Sequence, residues 1–209
     1  MAVRGGRGEQ MADRSPLDSL HPERSVRASL VAGRGHYESV VRAVLGAETS
    51  VWIATANLKD LWVQTGGEWQ ARGGRRRAYR SVLESFDGLA SRRVELRILH
   101  ARLPSVAFRA AFDRHPRLVA GGLELRLCPR VHFKAVIVDG ALLYLGSANW
   151  TGAGLGAKSE TRRNFELGFV TEEPRLLDLV QGLYDRIWRG MECRRCRRRN
   201  VCEAPLDQG

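Results

Sequence analysis

The stretch from Val131 to Asn149 reads VHFKAVIVDGALLYLGSAN and decides what the surrounding chain is expected to build. Its first eight residues are mostly apolar and β-branched, which predicts a buried strand from Val131 to Val138. Asp139-Gly140 is a typical two-residue hairpin turn, and residues 141–146 return as the partner strand. The sequence therefore predicts a β-hairpin here.

Four polar residues of this hairpin are spaced to reach one cleft. Side chains alternate between the two faces of a strand, so His132 and Lys134 share a face while Phe133 packs on the other. Ser147 and Asn149 have the same two-residue spacing at the end of the returning strand. We therefore expect His132, Lys134, Ser147 and Asn149 to meet.

These residue types suit cleavage of a phosphodiester through a covalent intermediate. An imidazole such as that of His132 can attack phosphorus and form a phosphohistidine. Lys134 and Asn149 can hold the phosphoryl oxygens as negative charge builds on them. Because cationic and amide donors take the role of a metal, no cofactor is expected for the cleavage itself. A second acid–base group, naturally a histidine near neutral pH, must protonate the leaving oxygen.

Asp139 has two interpretations. A His-x-Lys pattern in a strand is usually structural, but here Asp139 and a Gly-Ser-x-Asn sequence accompany it at hairpin spacing, which favours a catalytic motif. A carboxylate at a turn can nevertheless cap that turn as readily as it can contact substrate. Asp139 is therefore a candidate catalytic residue with a structural alternative.

The whole pattern, with Trp150-Thr151 after it, resembles the signature of the phospholipase D superfamily. It is most similar to the small members with a single motif, the bacterial endonucleases and the Zucchini-like mitochondrial nucleases. Those relatives are homodimers in which two motifs meet at the twofold axis, and this chain carries the motif once. The resemblance implies a homodimer with a shared active site, in which one copy of His132 is the nucleophile and the other is the general acid.

The resemblance also implies a downstream carboxylate that orients the histidine. Glu166, in the sequence Asn164-Phe165-Glu166, matches the position of that carboxylate. The alternative is that Glu166 is an ordinary surface residue of a strand.

The elements around the motif predict an α/β, layered phospholipase D-like domain with a mixed central sheet flanked by helices and one half-site per chain. A chain of 209 residues is long enough for one such domain. We expect residues 1–34 to be a disordered basic segment, residues 35–190 to form the catalytic domain, and residues 191–209 to form a Cys/Arg-rich C-terminal segment. Predicted helices begin at His36, Tyr79, Val106 and Pro174, and further strands cover residues 50–56, 94–99, 123–128 and 165–170.

The formal net charge of +11 predicts a polyanionic partner, either nucleic acid or an anionic lipid surface. Residues 60–77 read as a loop in which basic residues lie beside tryptophans, a combination that suits single-stranded nucleic acid. The alternative for this loop is a solvated surface without a ligand. Its candidate nucleic-acid-binding residues are Trp69, Arg72, Arg75, Arg76 and Arg77.

No apolar stretch approaches the roughly 20 residues of a membrane span. The N-terminus also lacks the apolar run of a secretory signal. The predicted location is therefore cytoplasmic, without a transmembrane segment.

Four cysteines form a candidate metal site. Cys193, Cys196 and Cys202 have the spacing C-x2-C-x5-C, and Cys128 lies four residues before His132. Close thiols in a basic, cytosolic chain indicate metal ligands, and four thiolates suit zinc or an iron–sulfur cluster. The spacing resembles the iron–sulfur staple of RecB-like nucleases, which implies a structural [4Fe–4S] cluster that pins the C-terminus to the catalytic domain. Structural Zn²⁺ and the absence of a metal are the alternatives.

The favoured function is a phosphodiesterase that acts as a nuclease on DNA or RNA, with endonuclease and exonuclease action both left open. A phospholipase D that acts on phosphatidyl lipids would use the same catalytic residues. A non-catalytic nucleic-acid-binding module that keeps the motif for phosphate binding is the third hypothesis.

Overall fold

A computed structural model describes residues 20–65 and 78–208. Within these residues, seven strands form one mixed sheet in the order β1-β9-β8-β7-β2-β5-β6, and β3 and β4 form a separate hairpin. The strands are β1 (Ser29–Ala32), β2 (Ser50–Thr55), β3 (Trp62–Thr65), β4 (Ala78–Ser81), β5 (Glu95–His100), β6 (Glu124–Leu127), β7 (Lys134–Val138), β8 (Leu142–Gly146) and β9 (Leu167–Thr171). The helices are α1 (Arg42–Leu45), which continues a π-helical turn at Tyr37–Val41, α2 (Val82–Ser91), α3 (Val106–Phe112) and α4 (Pro174–Trp188), with a second π-helical turn at Leu118–Gly122.

The sheet lies between two helical layers, which confirms the predicted α/β fold class. On one face, Ile53, Ile98 and Val136 pack against the cluster that contains α1, α2 and α3. On the other face, α4 covers the sheet with Leu177, Val180, Tyr184 and Trp188. Burial on both faces explains why the central strands read as nearly continuous apolar runs.

None of the helices within residues 20–65 and 78–208 combines the length and the hydrophobicity that spanning a bilayer requires.

The structure corrects three predicted element boundaries. The motif strand begins at Lys134 and not at Val131, so His132 lies in an irregular segment just before β7. The predicted loop at 60–77 contains a strand at Trp62–Thr65, paired with Ala78–Ser81. The helix expected from Tyr79 consequently starts at Val82, where the hydroxyl of Ser81 caps it by accepting a hydrogen bond from the N–H of Leu83 at 3.1 Å.

Part of the segment predicted to be disordered is ordered. Ser29–Ala32 forms β1, which pairs antiparallel with β9 at one edge of the sheet and buries Val31. Residues 1–19 lie outside the described residues, so the prediction for them stays a prediction. A four-residue strand held by tertiary pairing leaves little local signal, which explains the error.

The turn between β7 and β8 is as predicted. Asp139 and Gly140 have φ values of 54° and 62°, the left-handed pair that a two-residue type I′ hairpin requires. This turn sets the register of the hairpin, with Val138 opposite Leu142 and Lys134 opposite Gly146.

The carboxylate of Asp139 ties this turn to the beginning of β2. It accepts hydrogen bonds from the N–H groups of Glu48, Thr49 and Ser50 and from the Thr49 hydroxyl, at 2.7–3.1 Å. Burial acts to raise the pKa of Asp139, but these donors outweigh burial and hold it below its ordinary value. Asp139 lies at the far end of β7 from Lys134, roughly 17 Å away for five extended residues. These contacts support the structural alternative for Asp139, in which its carboxylate caps the turn.

We expect Asp139→Ala to lower the free energy of unfolding by about 1–3 kcal/mol, because the N–H groups of residues 48–50 lose a charged acceptor. A depressed pKa means that the wild-type contribution is complete above the unfolded-state pKa near 3.9 and disappears as pH falls through the folded-state value. Urea unfolding between pH 3 and pH 7 measures both effects.

Asp139→Asn is the matched control, because it keeps an amide oxygen and tolerates positive φ while removing the charge. It should lose less stability at pH 7 than Asp139→Ala and lack the wild-type loss at acid pH. Equal stability of all three proteins would contradict this role for Asp139.

Candidate active site

The motif residues meet at one edge of the sheet because of strand direction. β7 and β9 run antiparallel to β8, so the starts of β7 and β9 lie beside the end of β8. β2 is antiparallel to β7 and ends beside its start, with Ala54 opposite Ala135. The same edge therefore carries the residues just before β7 and β9 and just after β2 and β8. It contains the candidate residues His132, Lys134, Ser147, Asn149 and Glu166.

His132 is exposed at this edge, while the residue before it is held in the core. Val131 is buried against the α4 side of the sheet, and its N–H donates to the carbonyl oxygen of Cys128 at 2.9 Å. The ammonium of Lys134 donates to the carbonyl oxygen of His132 at 2.7 Å. A fixed backbone thus presents an accessible imidazole with a cation beside it.

Asn149 is held by the end of β2. Its Oδ1 accepts hydrogen bonds from the N–H groups of Ala56 and Asn57 at 3.1 and 3.0 Å, and from the Thr55 hydroxyl at 3.3 Å. Three donors on Oδ1 fix the orientation of the amide, so Nδ2 is the group left to donate. Within the described residues Nδ2 has no partner, and it is available for a phosphoryl oxygen.

The segment after Asn149 is anchored as well. The N–H of Trp150 donates to the Thr55 hydroxyl at 2.9 Å, and the Trp150 carbonyl accepts from the N–H of Lys59 at 3.0 Å. The indole is buried and stacks on Phe86 with ring centroids 5.9 Å apart. This aromatic anchor restricts the position of the asparagine.

Glu166 is bound to the other motif residue, Ser147. The Ser147 hydroxyl donates to one carboxylate oxygen of Glu166 and accepts from the N–H of Leu167 at 3.1 Å. The second carboxylate oxygen accepts from the amide of Asn164 at 3.0 Å. In the described part of the chain, the hydrogen bonds of Glu166 thus go to Ser147 and Asn164 and not to His132. Its role in orienting a histidine stays a prediction.

Two residues that the sequence analysis did not identify lie beneath this pair. His36 follows β1, which ends at the same edge, and its ring is fully buried edge-on against Tyr144, with centroids 5.5 Å apart. Burial lowers the pKa of His36, although its hydrogen bond to the carbonyl oxygen of Gly33 and the charge of Glu166 oppose this. Burial also raises the pKa of Tyr144 to about 12. Both rings are therefore neutral near pH 7.

The glycine of the Gly-Ser-x-Asn sequence makes room for Tyr144. A Cβ at Gly146 would overlap the Tyr144 hydroxyl and approach the Cα of Gly168 to 2.7 Å. The only sequence feature that marked His36 was its position at the start of a predicted amphipathic helix. Nothing in the sequence linked it to Tyr144 or Glu166, which are more than a hundred positions away.

The predicted nucleic-acid-binding residues Trp69, Arg72, Arg75, Arg76 and Arg77 lie outside the described residues. The strands that lead into and out of that loop are described. Trp62 on β3 and Tyr79 on β4 are about half exposed. They are diagonal neighbours on one face, because Trp62 pairs with Ser81 and Gln64 pairs with Tyr79.

The four cysteines are free thiols, and all four line one cavity of about 190 Å³. Among the described residues, no group of three or more His, Cys, Asp or Glu side chains is arranged to hold a metal ion. The four cysteines thus line one cavity, and their role as metal ligands stays a prediction.

Solved structures with the same fold include NucT from Helicobacter pylori, at 16% identity and a TM-score of 0.54. The match covers 78% of the present chain and 95% of the NucT chain. Nuc from Salmonella typhimurium, a phospholipase D family member, matches at 19% identity with the same TM-score and coverage. Phosphatidylserine synthase from Haemophilus influenzae matches at 14% identity and a TM-score of 0.50, over 78% of this chain and 38% of that one. No curated protein sequence matches the chain.

A family model for the phospholipase D-like domain of cardiolipin synthase matches residues 41–188, the span that holds all the motif residues. Because this match covers most of the chain, the protein belongs to the phospholipase D-like domain family.

Proposed function

We propose that the protein is a phosphodiesterase that cleaves nucleic acid through a phosphohistidine on His132, as a homodimer with a shared active site. The observation that carries the proposal is the sheet edge where an exposed imidazole lies with the ammonium of Lys134 and the amide nitrogen of Asn149, which has no partner among the described residues. These groups supply one nucleophile and two hydrogen-bond donors to the phosphoryl oxygens. Cleavage with them requires no metal.

In the first step, an imidazole nitrogen of His132 attacks phosphorus and the bond to the leaving oxygen breaks. Lys134 and Asn149 stabilise the charge on the non-bridging oxygens, and an acid protonates the leaving oxygen. In the second step, water loses a proton to the same group and attacks phosphorus, which restores His132 and releases the phosphate monoester.

We infer that the acid comes from a second chain. Two other histidines, His36 and His100, lie at this edge, but both are buried. Burial also lowers the pKa of each. The single-motif resemblance implies that the acid is His132 of a second copy. The near full-length match to Nuc, against 38% of phosphatidylserine synthase, supports one half-site per chain.

An apolar surface beside the site supports the dimer. Phe165 and Leu167 flank Glu166 and are exposed, and Leu30 on β1 is 77% exposed. Leu30 lies opposite Phe169, and Leu167 lies opposite Ala32, so these side chains share the face away from buried Val31. Exposed apolar side chains next to a catalytic edge are typical of a protein interface.

Nucleic acid is the favoured substrate because of charge and aromatic side chains. The net charge of +11 attracts a polyanion. Exposed Trp62 and Tyr79 offer stacking surfaces at the base of the arginine-rich loop, and their hairpin directly follows the segment that holds Asn149. A cytoplasmic location belongs to the same proposal, since it suits four free thiols.

Removing the nucleophile should abolish cleavage. We expect His132→Ala to lower kcat by about 10⁴-fold or more, and Asn149→Ala, which removes one donor to the phosphoryl oxygens, by about 10²–10³-fold. The assay offers single-stranded DNA, duplex DNA, RNA and phosphatidylcholine vesicles in the presence of EDTA.

His115→Ala is the matched control, because His115 is half-buried after α3 and is not one of the proposed site residues, so activity should be unchanged. Cleavage of the lipid alone would replace the nuclease with a phospholipase D. Binding of nucleic acid without cleavage of any substrate would favour a non-catalytic module.

Breaking the apolar surface should separate the subunits. We expect Leu30→Lys to shift the protein from dimer to monomer in light scattering and to reduce cleavage in parallel, because a lysine in the interface loses its hydration. Val119→Lys, at a similarly exposed position on the π-helical turn at Leu118–Gly122, should remain dimeric and active. A wild-type protein that is monomeric and active would contradict the shared site.

A further inference from the structure

The segment after α4, residues 189–208, is a region that the proposed phosphodiesterase chemistry does not use. Its regular structure is limited to two short 3₁₀ turns, Arg199–Val201 and Leu206–Gln208. Five arginines lie between Cys193 and Asn200, and their like charges oppose close packing. Leu206 is buried, whereas Met191 and Val201 are exposed. Apolar burial alone gives this segment little to hold it in place.

The segment nevertheless folds back onto β6 and closes a cavity with it. Cys128, in the turn after β6, lines one side, and Cys193, Cys196 and Cys202 line the other. Cys128 and Cys193 also pack against the buried cluster that contains Leu206. Four free thiols from two distant parts of the chain therefore surround one space of about 190 Å³.

The walls of this cavity are fixed by polar contacts. The guanidinium of Arg126, on β6, donates to the carbonyl oxygens of Trp188 and Leu206 at 2.9 and 3.4 Å. Within the segment, Arg199 pairs with Asp207 at 2.7 Å. These contacts hold the segment against the strand in the arrangement that brings the four thiols together.

The cavity that the four cysteines line, about 190 Å³, is larger than a single metal ion requires. Four sulfurs around a single zinc ion, each about 2.3 Å from it, lie within roughly 4 Å of one another. Among the described residues, which include all four cysteines, no group of three or more ligand side chains is arranged to hold a single metal ion. An iron–sulfur cluster has the same four-thiolate ligand set but places the ligands around a wider centre.

We propose that Cys128, Cys193, Cys196 and Cys202 bind an iron–sulfur cluster that clamps the C-terminal segment to β6. Each thiol loses its proton and binds iron as a thiolate. Arg130, Arg198 and Arg199 also line the cavity, and their positive charges offset the negative charge of a thiolate-ligated cluster. The charge of the proposed cluster would explain why arginines are concentrated around the C-terminal cysteines.

The clamp also positions the catalytic edge. Cys128 and Val131 are joined by a hydrogen bond of 2.9 Å that closes the turn immediately before His132. A ligand bond to Cys128 would restrain the backbone that presents the imidazole. The binding site itself stands whether or not the protein cleaves nucleic acid.

The test is metal analysis of the full chain, purified without oxygen and reconstituted with ferric iron, sulfide and dithiothreitol, which reduces part of the iron. We expect about four iron and four sulfide ions per chain, with broad sulfur-to-iron absorption in the visible range. Bound zinc in place of iron, four titratable thiols without metal, or disulfides would each overturn the proposal.

Cys202→Ser and Cys128→Ser should each lose the visible absorption and most of the iron, whereas Val201→Ser, beside a ligand on the same exposed turn, should keep both. Trypsin provides a second measurement, because the segment contains arginines at 194, 195, 197, 198 and 199. Cleavage there should be slow in the loaded wild-type protein and fast in Cys202→Ser. Cluster retention by Cys202→Ser, or equal cleavage with and without the cluster, would contradict the clamp.

Discussion

The register of the β7–β8 hairpin is the constraint on which the candidate active site depends. A shift of one residue would turn every side chain of β7 to the opposite face of the sheet. The left-handed turn at Asp139-Gly140 sets this register, and the Asp139 carboxylate ties the turn to β2 through four donors. Lys134 consequently lies opposite Gly146, and the residues on either side of that pair supply the proposed phosphate-binding edge.

A second constraint is the contact between the end of β2 and Asn149. The backbone N–H groups of Ala56 and Asn57 occupy the amide oxygen and leave the nitrogen to donate. The position of this proposed hydrogen-bond donor to phosphate is thus decided by β2 and β8, which flank β7 in the sheet and are far apart in sequence. The buried Trp150 and the Tyr144–Gly146 packing keep this geometry rigid, as stabilisation of charge by preorganised donors requires.

The sequence predicted correctly those elements whose structure follows from local patterns. The hairpin, the helix at Val106–Phe112, the long α4 and the layered fold class all follow from periodicity and turn residues. The motif residues were likewise predictable, because their two-residue spacing directs them to the same edge. The convergence of Cys128 with the three C-terminal cysteines was also expected, and the structure places all four around one cavity.

What could not be predicted depends on tertiary contacts. β1 exists because β9 offers it an edge, and its four residues carry no strong signal of their own. Asp139 could have contacted substrate or capped a turn until the N–H groups of residues 48–50 were located beside it. His36 became visible as part of the site once the β1–β9 pairing brought it next to Tyr144.

The central claim is that His132 forms a covalent bond to phosphorus. The most direct measurement mixes the protein with nucleic acid labelled at the cleaved phosphate, stops the reaction within milliseconds in alkali, where phosphohistidine survives, and maps the labelled peptides by mass spectrometry. The claim predicts a phosphoryl adduct on the peptide that contains His132, absent from His132→Ala. Turnover without any adduct, or an adduct on another residue, would contradict it.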